Sequence, residues 1–234
     1  AHPDYDSFWT SMIPYTPEEY GRINIPILTV TGYFDADQRR AMYYYERHNQ
    51  YGPKEAVDNH CLLIGPWDHI GAQTYPQRKI GSFKVDNAAL VPVLPIVMDW
   101  FDHVLRGKAR PAMLKDRVNY FVIGGDWKHK PSLAAMNTDT LQYYLQGGMD
   151  NWHHLTNDKK EAKGSVSLGV DFQNKAPGYS VEEIDILEGA FMTGHDQFIF
   201  DSKPLEQDIE INGTPVADLF MNSNKRDIDL YLSF

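Results

Sequence analysis

Two short stretches shape this chain: Gly32-Tyr33-Phe34-Asp35 and Gly65-Pro66-Trp67-Asp68-His69. Each ends an apolar run typical of a buried strand, at residues 27–31 and 61–64. The residues between the two runs predict a helix over 37–51. A strand, a crossover helix and a parallel strand bring both strand ends to one edge of a sheet. Asp35 and His69 are therefore expected at that edge, where they would supply two thirds of a Ser-His-Asp hydrolase site.

The composition is that of an ordinary globular protein. The chain has 234 residues, a length that is enough for one large domain or two small ones. Its formal net charge is -10. Lysines and arginines are scattered, and this argues against a nucleic-acid partner, because phosphate binding needs a basic face. No apolar run in the sequence reaches membrane-spanning length, so no membrane partner is expected.

Cysteine and histidine usage gives no sign of a metal or a cofactor, and none is predicted. Cys61 is the single cysteine, and it is expected to act as a small buried hydrophobe. No Cys/His spacing typical of zinc sites is found in the sequence. The chain begins with Ala1-His2-Pro3 and has no initiator Met, so the compartment stays open between the cytoplasm and secretion or the periplasm.

The hydrophobic pattern changes near residue 115. Before it, helices are predicted after Thr16-Pro17 and over 95–105, and residues 70–95 are predicted to form a long loop. After it come short alternating runs separated by turn signals, at 118–123, 141–145, 165–170, 198–200, 209–211, 217–221 and 228–232. Such runs are typical of an antiparallel β-sandwich. The predicted fold class is α/β plus all-β, with a boundary between 1–115 and 116–234.

The spacing alone leaves the roles of Asp35 and His69 open. In a hydrolase the imidazole would move a proton to and from a serine hydroxyl, and the carboxylate would orient the imidazole. An Asp that begins a helix and an exposed surface His would fit the same spacing equally well.

Further segments carry a resemblance that favours the hydrolase. The Gly-Tyr-Phe-Asp and Gly-Pro-Trp-Asp-His runs resemble those of the CocE/NonD family of serine hydrolases, which includes cocaine-esterase-like enzymes, α-amino-acid ester hydrolases and X-Pro dipeptidyl-peptidase relatives. Weaker similarity to this family extends over most of the chain, at residues 2–9, 99–107, 201–205 and 218–229. The Gly-Pro-Trp-x-His run is the specific part of this resemblance.

The resemblance implies an α/β-hydrolase domain with a helical cap and a jelly-roll domain. Residues 1–24 would then be the end of the cap, and 116–234 would be an incomplete jelly roll. Asp35 and His69 fall on the Asp and His positions of a Ser-Asp-His triad. The serine would lie upstream, so the chain is expected to be an internal fragment that is inactive alone. Its expected partners are an ester, amide or short-peptide substrate and the missing N-terminal part, and a homo-oligomer is left open.

Asp37 is a candidate substrate-binding residue. The resemblance implies acidic residues after the triad Asp that bind the ammonium group of a substrate, and a carboxylate would suit that cation. The next residue is Gln38, where a second acid would complete the pattern. A plain helix cap is the equally weighted alternative for Asp37.

No nucleophile is predicted within the chain. The nearest match to G-x-S-x-G is Ser165-Val166-Ser167-Leu168-Gly169. Its first glycine is replaced, it follows His69 in the chain, and it lies in the β-rich half, whereas a nucleophile elbow needs a tight strand-to-helix turn. Ser167 is therefore interpreted as a strand residue.

Two other classes of function stay open at this stage. Asp35-Ala36-Asp37 after a strand is also a pattern of Mg²⁺-dependent phosphatases. The β-rich half, with Trp127 and Trp152, could instead be a non-catalytic carbohydrate-binding or assembly module. His153-His154 is not interpreted as a metal pair, because neighbours on a strand point to opposite faces, and both are expected at the surface.

Overall fold

A computed structural model describes residues 2–4, 6–12, 16–137, 139–149, 152–169, 198–228, 230 and 232. Two short helices open the chain, α1 (Ser7–Met12) and α2 (Pro17–Tyr20). Thr16 caps α2 in a capping box with Glu19, and Pro17 is the first helical residue. This confirms the helix start predicted from Thr16-Pro17, since proline fits the first turn, where its missing N–H has no partner to lose.

The main sheet contains the predicted strand, helix and strand. β1 (Ile27–Phe34) and β2 (His60–Asp68) are parallel, and α3 (Gln38–Tyr51) and α4 (Lys54–Asp58) connect them. The register pairs Phe34 with Asp68, so the residues that follow them emerge side by side at one edge. β2 is nearly continuous in burial, as expected for a strand covered on both faces.

Residues 70–95, predicted as a loop, contain several short elements. These are α5 (His69–Gln73), a hairpin of β3 (Lys79–Ile80) and β4 (Phe83–Lys84), and a 3-10 turn at Asn87–Ala89. Ile80, Val85 and Ala89 are buried in one cluster with Phe121. The loop prediction was wrong because elements of two to five residues are too short to show a hydrophobic period.

The next helix, α6 (Val93–Arg106), ends at Gly107, whose φ of 67° is left-handed. Val93, Ile96 and Trp100 are buried against the sheet. By length and composition alone, Asn87–Arg106 would suffice to cross a membrane, contrary to the estimate from the sequence. A single helix of this kind is weak evidence for a membrane span, because a core helix of a globular protein passes the same test.

The run at 118–123 was predicted to open the β-sandwich, but it belongs to the first sheet. β5 (Val118–Phe121) pairs parallel with β2, and β6 (Trp127–Lys130) pairs antiparallel with β5. The strand order of this sheet is β1-β2-β5-β6. All four residues of β5 are buried, which a place inside the main sheet explains. The boundary at residues 115 and 116 stays a prediction.

A second sheet of three strands lies further along the chain. It contains β7 (Tyr144–Met149), β8 (Trp152–Thr156) and β9 (Ile199–Ser202), in that order. The predicted runs at 209–211 and 217–221 form no strand, nor do the described parts of 165–170 and 228–232; residues 170, 229 and 231 lie outside the described residues. A sandwich needs a second sheet to cover the first, and none covers it within the described part of this half. The mixed α/β plus β architecture is thus present, and the jelly roll stays a prediction.

Candidate functional site

Two glycines bring the ends of β1 and β2 close to a buried tryptophan. A Cβ atom on Gly32 would lie 2.0 Å from the carbonyl oxygen of Trp67, and one on Gly65 would lie 2.3 Å from its indole ring. Neither distance is possible for a real side chain, so glycine is required at both positions. The register shifts between Gly32–Gly65 and Phe34–Asp68, two positions along β1 against three along β2, so β2 contains the extra residue of a bulge just before Asp68.

Trp67 anchors the end of β2 in the core. Its side chain is fully buried, its indole N–H donates to the Ala89 carbonyl at 2.9 Å, and its ring lies 5.8 Å from that of Trp127. Trp67 is therefore a packing residue. Asp68 then begins α5, with its Oδ1 accepting the Gly71 N–H at 2.7 Å. The residue after Asp68 is thereby held on the first turn of a capped helix.

Asp35 and His69 are in hydrogen-bond contact at this edge. His69 Nδ1 lies 3.1 Å from Asp35 Oδ1, and the same oxygen accepts the Asp37 N–H at 2.9 Å. The carboxylate side chain is only 8% exposed, whereas the imidazole is 54% exposed. Because an ionised carboxylate can only accept, Nδ1 carries the proton and Nε2 keeps its lone pair in the neutral ring.

The surroundings of His69 favour its protonated form. The hydrogen bond to Asp35 raises the pKa of the imidazole, as does the charge of the same carboxylate, and Asp37 and Asp68 add smaller contributions. A neutral base with its proton on Nδ1 and a raised pKa has the properties that a general base needs near neutral pH.

Gln73 contacts the other ring nitrogen. Its amide nitrogen lies 2.7 Å from His69 Nε2, one helical turn further along α5. Gln73 is not among the candidates predicted from the sequence, because residues 70–95 were predicted to be a loop. The four-residue spacing from His69 would have placed the two side chains together had α5 been predicted.

The Asp37 side chain does not cap α3, and its role in substrate binding stays a prediction. Asp37 precedes α3 but makes no side-chain capping bond; its Oδ2 lies 3.7 Å from His69 Nδ1, and its side chain is 74% exposed. Gln38 donates its amide N–H to the Gly32 carbonyl at 3.1 Å. The Gln38 side chain therefore closes the turn after β1.

Asp35, Asp37 and His69 also offer three ligand atoms within 4.8 Å of one another. This donor set has the chemistry of a metal site. The imidazole nitrogen that faces the two carboxylates already donates its proton to Asp35, so a cation there would have to displace that proton. The prediction that no metal is needed stays a prediction.

The remaining candidates lie away from this edge. Ser167 is exposed and in an irregular segment instead of the predicted strand. His153 and His154 point to opposite faces of β8, but His153 is buried between Phe198 and Phe200 and not at the surface. His154 Nδ1 lies 3.1 Å from Asp201 Oδ1. Trp127 packs in the core, so of the two proposed sugar-stacking rings only Trp152 is exposed.

Comparison with known families identifies the class of protein. Residues 112–233 match the family model of the X-Pro dipeptidyl-peptidase C-terminal non-catalytic domain, and residues 1–71 match that of the X-Pro dipeptidyl-peptidase (S15 family). The chain therefore belongs to the X-Pro dipeptidyl-peptidase-like family of serine hydrolases, and the resemblance found in the sequence is confirmed. Asp35 and His69 both lie in the segment matched by the second model. The phosphatase and carbohydrate-binding alternatives are not favoured.

Two individual proteins are similar to this chain. The chain is 24% identical to cocaine esterase from Rhodococcus sp. (strain MB1 Bresler), over 97% of this chain and 40% of that protein. A crystal structure of an aminopeptidase from the marine sediment archaeon Thaumarchaeota archaeon matches with 20% identity and a TM-score of 0.47, over 73% of this chain and 26% of that one. The chain thus spans about 40% of the length of the curated relative that it matches.

Proposed function

We propose that Asp35 and His69 are the Asp and His of a Ser-Asp-His triad that cleaves ester or amide bonds through an acyl-enzyme. The observation that carries this proposal is the 3.1 Å contact between His69 Nδ1 and a largely buried Asp35 carboxylate, at the edge where two parallel strands end. In α/β enzymes this edge is where catalytic groups collect. Family membership supports the same chemistry.

In this mechanism His69 Nε2 accepts the proton of the serine hydroxyl while the serine oxygen bonds to the substrate carbonyl carbon. The imidazolium then returns the proton to the leaving group as its bond to the carbonyl carbon breaks. Water repeats the sequence, giving its proton to Nε2 and releasing the acid and the free serine. Asp35 keeps the ring in the required tautomer and stabilises the imidazolium that forms.

The serine is supplied, in this proposal, by a part of the same hydrolase that lies upstream of β1. The matched relative is much longer than this chain, and a surface suited to a further part of the sheet is present. Among the described residues no strand pairs with the outer edge of β1. Beside that edge is an apolar groove of about 250 Å³, lined by Ile25, Pro26, Ile27, Leu28, Tyr44, Val97, Trp100 and Phe101. An unpaired edge beside exposed apolar side chains favours addition of another strand.

The test measures hydrolysis of p-nitrophenyl esters and aminoacyl p-nitroanilides by the full-length protein. His69→Ala and Asp35→Asn should each lower kcat by about 10⁴-fold, since both remove the oriented base. His154→Ala is the matched control, because His154 makes a 3.1 Å contact with Asp201 in the second sheet and should leave kcat unchanged. Full activity of His69→Ala would overturn the proposal.

Asp37 is proposed to bind the ammonium group of α-amino-acyl substrates. Its exposed carboxylate lies beside the base, where it could hold a cation close to the reacting carbonyl. Asp37→Asn should then raise KM for aminoacyl esters and leave KM for simple acetyl esters unchanged. An equal change for both substrates would show that Asp37 does not recognise the amino group.

A further inference from the structure

The Gln73 side chain lies where a nucleophile has to bind. Its amide nitrogen is 2.7 Å from His69 Nε2, the ring nitrogen opposite the one that contacts Asp35. The position of Gln73 is set by both ends of α5. Asp68 caps the first turn, and the last turn is tied down through Thr74, which donates its N–H to the Ile70 carbonyl and accepts the Leu94 N–H at 3.1 Å.

His69 Nε2 can serve only one donor at a time. With the proton of the neutral ring on Nδ1, Nε2 has a single lone pair. The Gln73 N–H occupies that lone pair, and the serine hydroxyl of the proposed triad would need the same one. The two donors are therefore mutually exclusive, and the serine can bind its base only after the amide has moved away.

We propose that Gln73 is a positioning residue that masks the catalytic base, holding His69 in the tautomer competent for catalysis until the nucleophile displaces the amide. This inference rests on the proposed hydrolase function. Displacement costs little, because the Gln73 side chain is exposed and water can replace its hydrogen bond. The class of ligand that Gln73 competes with is thus a hydroxyl donor bound at Nε2.

The first experiment tests the contact without any need for catalysis. The His69 ring in this chain is titrated by NMR in wild type, Gln73→Glu and Gln50→Glu. A carboxylate at position 73 would accept from the protonated Nε2 and raise the pKa of His69. Gln50→Glu makes the same change of charge near the far end of α3, about 18 Å along the helix axis from Gln38, and should leave the pKa of His69 unchanged. An equal pKa of His69 in Gln73→Glu and Gln50→Glu would overturn the proposal.

The second experiment tests masking in the full-length hydrolase. Labelling of the serine by a fluorophosphonate should be about two- to five-fold faster in Gln73→Ala than in wild type, because one exposed hydrogen bond no longer competes. Slower or unchanged labelling of Gln73→Ala would overturn masking while leaving the triad intact. Absence of labelling in both proteins would instead overturn the hydrolase function, and masking with it, whatever the titration shows.

Discussion

Strand β2 has a histidine at each end, and the two lie in opposite surroundings. His60 begins the strand and is fully buried, whereas His69 follows it and is 54% exposed. Burial lowers the pKa of His60 to about 3, with a smaller contribution from His48, while Asp35 raises the pKa of His69. One end of the sheet keeps its imidazole neutral for packing, and the other favours the charged form that proton transfer requires.

The buried end is held by a chain of hydrogen bonds. His48 Nε2 lies 3.2 Å from the Ile23 carbonyl, the two Nδ1 atoms of His48 and His60 are 2.9 Å apart, and His60 Nε2 lies 2.8 Å from Thr29 Oγ1. Because a carbonyl only accepts, His48 Nε2–H donates to Ile23. With both rings neutral, His60 Nδ1–H then donates to His48 and the Thr29 hydroxyl donates to His60, so that every ring nitrogen has a partner.

The largest expected effect is loss of stability at the buried end. His60→Ala should lower the free energy of unfolding by about 3 kcal/mol, because it leaves a cavity and two buried polar groups without partners. His69→Ala should leave the midpoint of urea unfolding close to that of wild type, because the ring is exposed. Equal losses in the two variants would contradict the contrast between the ends.

Acid should reveal the same contrast. The folded-state pKa of His60 lies below its unfolded value of about 6.5. The neutral ring therefore makes its full contribution to the free energy of unfolding above pH 6.5, and this contribution is lost as the pH falls toward 3. Titration of this one ring changes the free energy of unfolding by at most about 1.4 kcal/mol per pH unit. His60→Asn keeps a donor toward His48 but cannot titrate, so it should flatten the slope of unfolding free energy against pH.

His69→Asn should change the slope in the opposite sense. The raised pKa of His69 gives stability that is present below the unfolded pKa and is lost as the pH rises through the folded value. Without it, stability should no longer fall as the pH rises above about 6.5 through the folded pKa of His69, and the slope below pH 6.5 should stay as in wild type. A slope that is the same in wild type and in His60→Asn would show that the buried ring does not carry the acid dependence.

A smaller effect is expected at the exposed end, where Asp68 caps α5. Asp68→Ala should cost about 1 kcal/mol, because the Gly71 N–H loses its acceptor. Asp37→Ala is the matched comparison, since Asp37 precedes α3 without a side-chain capping bond, and its midpoint of unfolding should stay near that of wild type. A larger loss in Asp37→Ala than in Asp68→Ala would contradict this assignment of the caps.

The smallest expected effect changes the titration of His69 alone. Asp35→Asn should lower the pKa of the imidazole more than Asp37→Asn does, because Asp35 provides the hydrogen bond and the largest charge contribution. NMR titration of the ring measures both shifts directly. A greater decrease in Asp37→Asn would mean that the exposed carboxylate is the main partner of His69.

The placement of Asp35 and His69 could be predicted because both strands are apolar throughout and a helix lies between them. The buried pair His48 and His60 could not, because polar residues twelve apart show no motif until packing brings them together. The strand at Val118–Phe121 was assigned to the wrong sheet, since an apolar run indicates burial but does not identify the neighbouring strand. Gln73 was missed with the short helix that carries it.

The glycines of the two stretches are needed for the packing of the sheet edge and not for the contact between Asp35 and His69. Gly32 is required by the close approach of the Trp67 backbone and Gly65 by the Trp67 indole ring, and neither takes part in the hydrogen bond between Asp35 and His69. A homologue could therefore keep Gly-Tyr-Phe and Gly-Pro-Trp intact and still have lost its activity. In genome surveys the glycine and aromatic residues of these stretches would indicate a preserved sheet edge, whereas the proposed proton relay would require Asp35 and His69.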